Sequence, residues 1–197
     1  LKVTLAAPQV LHVELHRPDK LNAFDLPFWE EIRSCFGEIA DDAEVRAVLL
    51  SGAGRFFTAG LDLSAAVAVT GATSAGELDV ARKALHIRKL GKAWQDAFSN
   101  IERCGKAVIA CMHGGVVGAG LEMTSACDIR FCTEDAYFQA AEVDIGIAAD
   151  VGGCSDFRRL SATRAWFESW YSRVVECHQA RRCSTASFLG SSRTRCK

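Results

Sequence analysis

From residue 10 to 18 the run VLHVELHRP alternates apolar and polar side chains, the period of a half-buried strand, and Pro18 closes it. The period then changes. In DLPFWEEIRSCFGEIADD, residues 25–42, Phe28, Trp29, Ile32, Cys35, Phe36 and Ile39 recur at intervals of three and four, which predicts an amphipathic helix. RAVLLSGAG (46–54) and AVIACMHG (107–114) share one design, a short apolar run halted by glycine, and each is predicted as a strand entering a turn. Helical spacing returns over residues 81–102, ARKALHIRKLGKAWQDAFSNIE, at Leu85, Leu90, Trp94, Phe98 and Ile101. Strands alternating with helices predict an α/β fold. Residues 64–80, SAAVAVTGATSAGELDV, are small and weakly patterned, and read equally as a loop beside a binding surface or a surface loop without contacts.

Composition narrows this picture. At 197 residues, 49% hydrophobic and 24% charged, a single globular domain is the simplest expectation, burying roughly 70% of the surface its unfolded chain exposes. No apolar run approaches the ~20 residues of a membrane span. A net charge of -1 argues against a general nucleic-acid binder. Lys83, Arg88, Lys89 and Lys92 make one helix face basic, either as an ordinary solvated face or as a phosphate contact. The nine cysteines include no CxxC pair, and the start at Leu1 shows no secretory pattern, so reduced thiols and no metal site are expected. The charge is uneven. Residues 1–150 carry 14 Lys and Arg against 21 Asp and Glu, whereas residues 151–197 carry 9 against 3, with Cys154, Cys177, Cys183 and Cys196. A core over residues 1–153 and a basic tail rich in Cys, Ser and Arg over 154–197 are therefore expected.

The candidate chemistry lies in two glycine turns and a few acids. GRFFTAGLDL (54–63) and HGGVVGAGLEM (113–123) each follow a predicted strand, and the second runs into a helical segment, GLEMTSACDI. Small residues allow close backbone approach, and facing turns of this kind can direct main-chain N–H groups at one oxygen. Neither turn fits the GxGxxG or GxxxxGK[ST] phosphate pattern. Downstream, AAEVDIGIAAD (140–150) sets Glu142, Asp144 and Asp150 among apolar residues. A carboxylate in such a setting needs a partner or a task.

Together RPDKLNAF, GAGRFFTAGLDL and CMHGGVVGAGLEMTSACDIRFCTEDAYFQAAEVDIGIAADVG resemble the enoyl-CoA hydratase/isomerase (crotonase) family, from about residue 8 to residue 153. The resemblance implies a crotonase-like spiral of ββα units, assembled as a homotrimer or hexamer, acting on an acyl-CoA thioester. It implies that the backbone N–H groups of Leu61 and Ala119 hold the thioester oxygen, with Ala59, Gly60, Leu61, Asp62, Leu63 and Gly120 binding substrate. The family position at Ala119 is usually glycine; because the donor is main chain, a methyl group is compatible with the role. Coenzyme A is part of the substrate, so no cofactor and no metal are implied. Family members work in mitochondria or peroxisomes, and the C-terminal Arg-Cys-Lys is not a peroxisomal Ser-Lys-Leu.

Within the family, the resemblance is greatest to the branch that isomerises 3,5-dienoyl-CoA to 2,4-dienoyl-CoA in the β-oxidation of unsaturated fatty acids. It implies an acid at Asp150 for the C2 proton and one at Glu142 for C6. Position 122 is usually Asp in that branch, but here it is Glu122, as in the hydratases. An enoyl-CoA hydratase using Glu122 and Glu142 on one water is thus an alternative. Structural readings also stand: Glu122 favouring a helix N-terminus and Asp150 capping a following helix. Asp144 and Asp128 are assigned to structure, Asp128 paired with Arg130 or a backbone amide, and His113 is read as a satisfied interior histidine. After ADVGG the resemblance stops. The C-terminal helical part of the fold is expected to be incomplete or replaced, through a reading-frame change or a divergent short form. TRAWFESWYSRVV in the tail has aromatics at 166, 167, 170 and 171, a spacing open to a chance helix. A truncated, inactive chain that binds acyl-CoA or a partner subunit is the third reading.

Overall fold

The computed structural model describes residues 1–64, 79–142, 144 and 151, with the backbone of Val174–Glu176 and Thr194–Arg195. A hairpin opens the chain: β1 (Lys2–Ala7) pairs antiparallel with β2 (Val10–Leu15). Next come β3 (Ala47–Gly52), β4 (Ala107–Met112) and β6 (Ile129–Cys132), all parallel to β2, and β8 (Val174–Glu176) beside β6. The described strands of this sheet run in the order β1-β2-β3-β4-β6-β8. Alternation sets its inner face: Val13, Leu50, Ala110 and Arg130 stand in one register row, flanked by Leu15, Val48, Val108, Met112 and Cys132, all buried.

The predicted strand over 10–18 ends earlier, at Leu15, because Pro18 opens a 3-10 turn over Pro18–Lys20 instead of terminating the strand itself. Its neighbours match closely. The helix predicted over 25–42 is α1 (Leu26–Asp41), whose N-cap Asp25 accepts a 3.0 Å hydrogen bond from the Phe28 N–H. Phe28, Trp29, Ile32, Phe36 and Ile39 face inward from α1. Against them packs α2 (Val80–Arg103), capped by Asp79. Phe24, Phe28, Trp29, Trp94 and Phe98 form one aromatic cluster with ring centroids 4.8–5.9 Å apart.

α2 departs from its sequence pattern. Only Ala97, Phe98 and Ile101 are fully buried on it, whereas Leu85 is 51% exposed. The 24-residue α2 outruns the 16-residue α1, by about 12 Å at 1.5 Å per residue, so its apolar stripe continues past the surface that would cover it.

A second sheet carries the site. β5 (Gly115–Val117) pairs parallel with β7 (Tyr137–Gln139), and β9 (Thr194–Arg195) pairs antiparallel with β7. Between β5 and β6 lies α3 (Ala119–Ser125). The loop predicted over 64–80 falls almost wholly outside the described residues, as do residues 163–173 and the boundary at 153/154. In the tail, Val174 and Val175, the end of the segment with helical aromatic spacing, belong to β8.

Candidate active site

The first glycine turn is held between the segment before α1 and strand β5. Phe24 and Leu61 form an isolated parallel bridge, in which the Phe24 N–H donates to Gly60 O at 2.7 Å and the Asp62 N–H to Phe24 O at 3.0 Å. In such a bridge the middle residue turns its own N–H to the opposite side, so the Leu61 amide is directed away from Phe24. Three residues earlier Thr58 bridges to Val116 of β5. Its N–H donates to Gly115 O and its carbonyl accepts from the Val117 N–H, each at 3.1 Å. The turn is thereby stitched to the strand that leads into the second turn.

Glycines make that stitching close. Gly60 has φ +81°, and a Cβ built on it would fall 2.6 Å from the Val117 carbonyl oxygen and 3.4 Å from the Ala119 nitrogen. A Cβ on Gly120 would fall 2.4 Å from the Thr58 methyl. The residues predicted to hold one oxygen, Leu61 and Ala119, thus sit on backbones in van der Waals contact through Gly60. Ala119 opens α3, where first-turn N–H groups have no intrahelical acceptor.

Glu142 belongs to the same place. It is 8% exposed, and a Cβ on Gly118 would lie 3.1 Å from its Oε1. Its carboxylate therefore rests against the turn whose next residue is Ala119. Glu122, on the first turn of α3, is 1% exposed, and its Oε1 accepts a 3.2 Å hydrogen bond from the Val151 N–H. That bond reaches the residue directly after Asp150, which itself lies outside the described residues. Gly60 approaches Val117 and Ala119, Gly120 approaches Thr58, and Glu142 approaches Gly118, while the Ala59 N–H donates to Leu21 O at 2.9 Å. Asp62 turns aside, its Oδ1 accepting from the Ser64 N–H and hydroxyl at 3.1 and 2.5 Å, and Leu63 is 53% exposed.

The residues assigned to structure behave as anchors. Asp128 Oδ2 accepts from the Val108 N–H at 2.8 Å, the backbone amide of the two alternatives for it. Asp144 accepts from the Gln139 amide at 3.1 Å. His113 is half-buried, and its Nε2 donates to Gly54 O at 2.7 Å. Burial pushes the thiol of Cys127 up to about 12 and that of Cys35 up to about 11. Among the described residues no group of three His, Cys, Asp or Glu is arranged to hold a metal, and no helix is long and apolar enough to cross a membrane.

With this geometry in view, the family model for enoyl-CoA hydratase/isomerase matches residues 6–165. This chain belongs to that family. The chain is 50% identical over 165 residues to the mitochondrial Delta(3,5)-Delta(2,4)-dienoyl-CoA isomerase of Rattus norvegicus, covering 84% of this chain and 50% of that protein. It is 39% identical to the peroxisomal Delta(3,5)-Delta(2,4)-dienoyl-CoA isomerase of Arabidopsis thaliana, covering 73% of this chain and 51% of that one. Among solved structures, a putative enoyl-CoA hydratase from Streptomyces coelicolor A3(2) superposes with a TM-score of 0.72 at 26% identity, over 89% of this chain and 66% of that chain. The α/β class and crotonase-like fold expected from the sequence are those of the family. The chain spans about half the length of the curated relatives it matches.

Two residues that hold the candidate site together carry no motif of their own in the sequence. Asn22 is fully buried at φ +54°, and its Nδ2 donates to the carbonyls of Ala53, Phe56 and Phe57 at 2.8, 2.9 and 3.1 Å. Its Oδ1 accepts from the Arg17 N–H at 2.7 Å. Thr58, also fully buried, donates through Oγ1 to Asn22 O at 2.7 Å and accepts there from the Gly60 N–H at 3.1 Å. The available signal was an amide inside the apolar LNAF and a hydroxyl inside FFTAG. Arg130, buried on the inner face of the sheet, donates to Thr124 O at 2.9 Å and to Cys127 O, closing the C-terminal end of α3.

Proposed function

We propose that this chain isomerises 3,5-dienoyl-CoA to 2,4-dienoyl-CoA, a step of unsaturated fatty-acid β-oxidation. The observation that carries the reading is the Glu142 carboxylate, buried against Gly118, on the turn whose next residue, Ala119, is approached by Gly60. The names of the relatives add the substrate class. In the proposed reaction Asp150 takes the C2 proton, and the electron pair spreads through the conjugated system onto the thioester oxygen. The Leu61 and Ala119 N–H groups stabilise that oxygen, a contribution of about 3–4 kcal/mol for each donor. The dienolate then collapses as protonated Glu142 delivers its proton to C6. Asp150 ends protonated and Glu142 ionised, and exchange with water resets both. Nothing is oxidised or reduced by an external agent, so the step calls for no cofactor beyond the coenzyme A of the substrate.

A hydratase mechanism would use the Glu122 and Glu142 carboxylates on one water; the 3.2 Å bond from the Val151 N–H to Glu122 Oε1 favours a structural part for Glu122 instead. We assign Glu122 to holding the chain beside Asp150. A mitochondrial or peroxisomal setting and a homotrimer or hexamer complete the proposal. Residues 154–197 are proposed as a divergent basic tail, from which β8 and β9 join the two sheets.

The test is an assay of purified protein with 3,5-octadienoyl-CoA, following the ultraviolet absorbance of the conjugated product. Isomerisation is expected, with E142Q and D150N each lowering kcat about 10²–10⁴-fold. Deuterium exchange at C2 should persist in E142Q and vanish in D150N. Hydration of crotonyl-CoA without any 2,4-diene would establish the hydratase reading, and binding without either reaction would establish the inactive chain.

A further inference from the structure

Thr58 occupies a place that the proton transfers do not use. Its backbone is paired to β5 on both sides, with the N–H on Gly115 O and the carbonyl on the Val117 N–H. Its hydroxyl donates to Asn22 O and accepts from the Gly60 N–H, the amide one residue before Leu61. Its methyl lies where a Cβ on Gly120 would collide, at 2.4 Å, one residue beyond Ala119. Asn22, which receives the hydroxyl, is itself tied to Ala53, Phe56, Phe57 and Arg17. One side chain thus touches the residue before Leu61 and the residue after Ala119 from a fixed base.

We infer that Thr58 is a positioning residue that sets how the Leu61 and Ala119 N–H groups converge on a thioester oxygen. Its hydroxyl orients the Gly60 peptide, and its methyl sets the spacing to Gly120. Donors aimed at developing charge act only when held to within a fraction of an ångström, so a group that fixes two of them at once governs their joint effect. The inference rests on the oxyanion role proposed for Leu61 and Ala119, and it adds the residue that tunes that role.

The chemical distinction is between Thr58→Val, which keeps the shape and removes the hydroxyl, and Thr58→Ser, which keeps the hydroxyl and removes the methyl. The probe is octanoyl-CoA labelled with ¹³C at the thioester carbonyl, observed by isotope-edited infrared difference spectroscopy. Octyl-CoA thioether, which lacks the carbonyl, is the control ligand. On wild-type protein the carbonyl stretch is expected to move to lower wavenumber on binding. T58V should lose most of that displacement and T58S should keep more of it, while both bind the thioether as wild type does. In the isomerase assay T58V should lower kcat about 10–100-fold with KM little changed.

A T58V protein with the full wild-type displacement overturns the inference, as does T58S losing as much as T58V in proportion to a fall in Tm, which would make the residue ordinary packing. T58A replaces T58V in the same comparison should the latter not fold. Wild-type protein that binds both ligands without moving the carbonyl stretch overturns the oxyanion reading itself, and wild-type protein that binds neither overturns the proposed function. Both results remove the positioning role as well, and both are distinguishable from failure at Thr58 alone.

Discussion

The two glycine turns look alike in sequence, each an apolar strand followed by small residues, and both are held by backbone pairing, but the first has in addition a relay of buried side chains. Thr58–Leu61 pairs through its backbone with Phe24 and β5, while the Asn22 amide fixes the carbonyls of Ala53, Phe56 and Phe57 that lead into it and the Thr58 hydroxyl links Asn22 O to the Gly60 N–H. The second, Val117–Gly120, is held by its own backbone. Gly118 donates to Gln139 O at 2.8 Å and accepts from the Leu121 N–H at 2.8 Å, between a paired strand and a helix. A turn braced additionally by buried side chains depends in part on a few irreplaceable atoms, whereas one braced by strand and helix spreads its support over several peptides. The turns should therefore fail differently when changed.

The largest effect is expected at Gly60. Gly60→Ala forces a Cβ to within 2.6 Å of the Val117 carbonyl at φ +81°, and because the obstacle is backbone, it should cost at least ~4 kcal/mol in urea unfolding. Next comes Asn22→Ala. It removes the donor to three carbonyls in a fully buried setting and should cost about 2–4 kcal/mol by the same measurement. Gly118→Ala should separate stability from activity. Its Cβ meets the movable end of Glu142 at 3.1 Å, so unfolding should shift by only about 1–2 kcal/mol while kcat falls about 10-fold or more through displacement of that carboxylate. If Gly118→Ala destabilises more than Gly60→Ala, the contrast between the turns is wrong.

Smaller effects sharpen the picture. Glu122→Gln keeps an oxygen to accept from Val151, so dienoyl isomerisation should stay within about fivefold of wild type while Glu122→Ala loses more, on the ~1 kcal/mol scale of one hydrogen bond. A loss in E122Q as large as in E142Q would return Glu122 to acid–base chemistry. The thiols act only at alkaline pH. Burial raises Cys127 to about 12 and Cys35 to about 11 from an ordinary 9.0. Above pH 9.0 the unfolded chain loses these protons first, so it binds fewer protons than the native state. Stability supplied by the neutral thiols is full below 9.0 and should decline between there and about 12, read as a falling urea midpoint.

Much of the architecture was legible because it is written in local periods. The 25–42 helix appears as Leu26–Asp41, and both glycine-halted strands stand as β3 and β4. β1 was not legible: all six residues are exposed, so no apolar alternation marks it, and its pairing with β2 defines it. β5 and β7, three residues each, are too short to show a period. In the site, glycines and acids could be found by type, and the family resemblance attached roles to them. Asn22 and Thr58 could not, since an amide or hydroxyl in an apolar run looks the same whether it faces solvent or ties two loops together.

The amino-acid pattern by itself determined the α/β alternation, the aromatic face of α1 and the family, because each depends on residues close in the chain or on motifs read in order. Tertiary structure alone decided that Thr58 and Gly120 touch, that Glu142 rests on Gly118, and that Glu122 reaches Val151. Those contacts join residues 24 to 62 positions apart, and their distances follow from how two sheets and a helix pack. No local preference encodes such a separation.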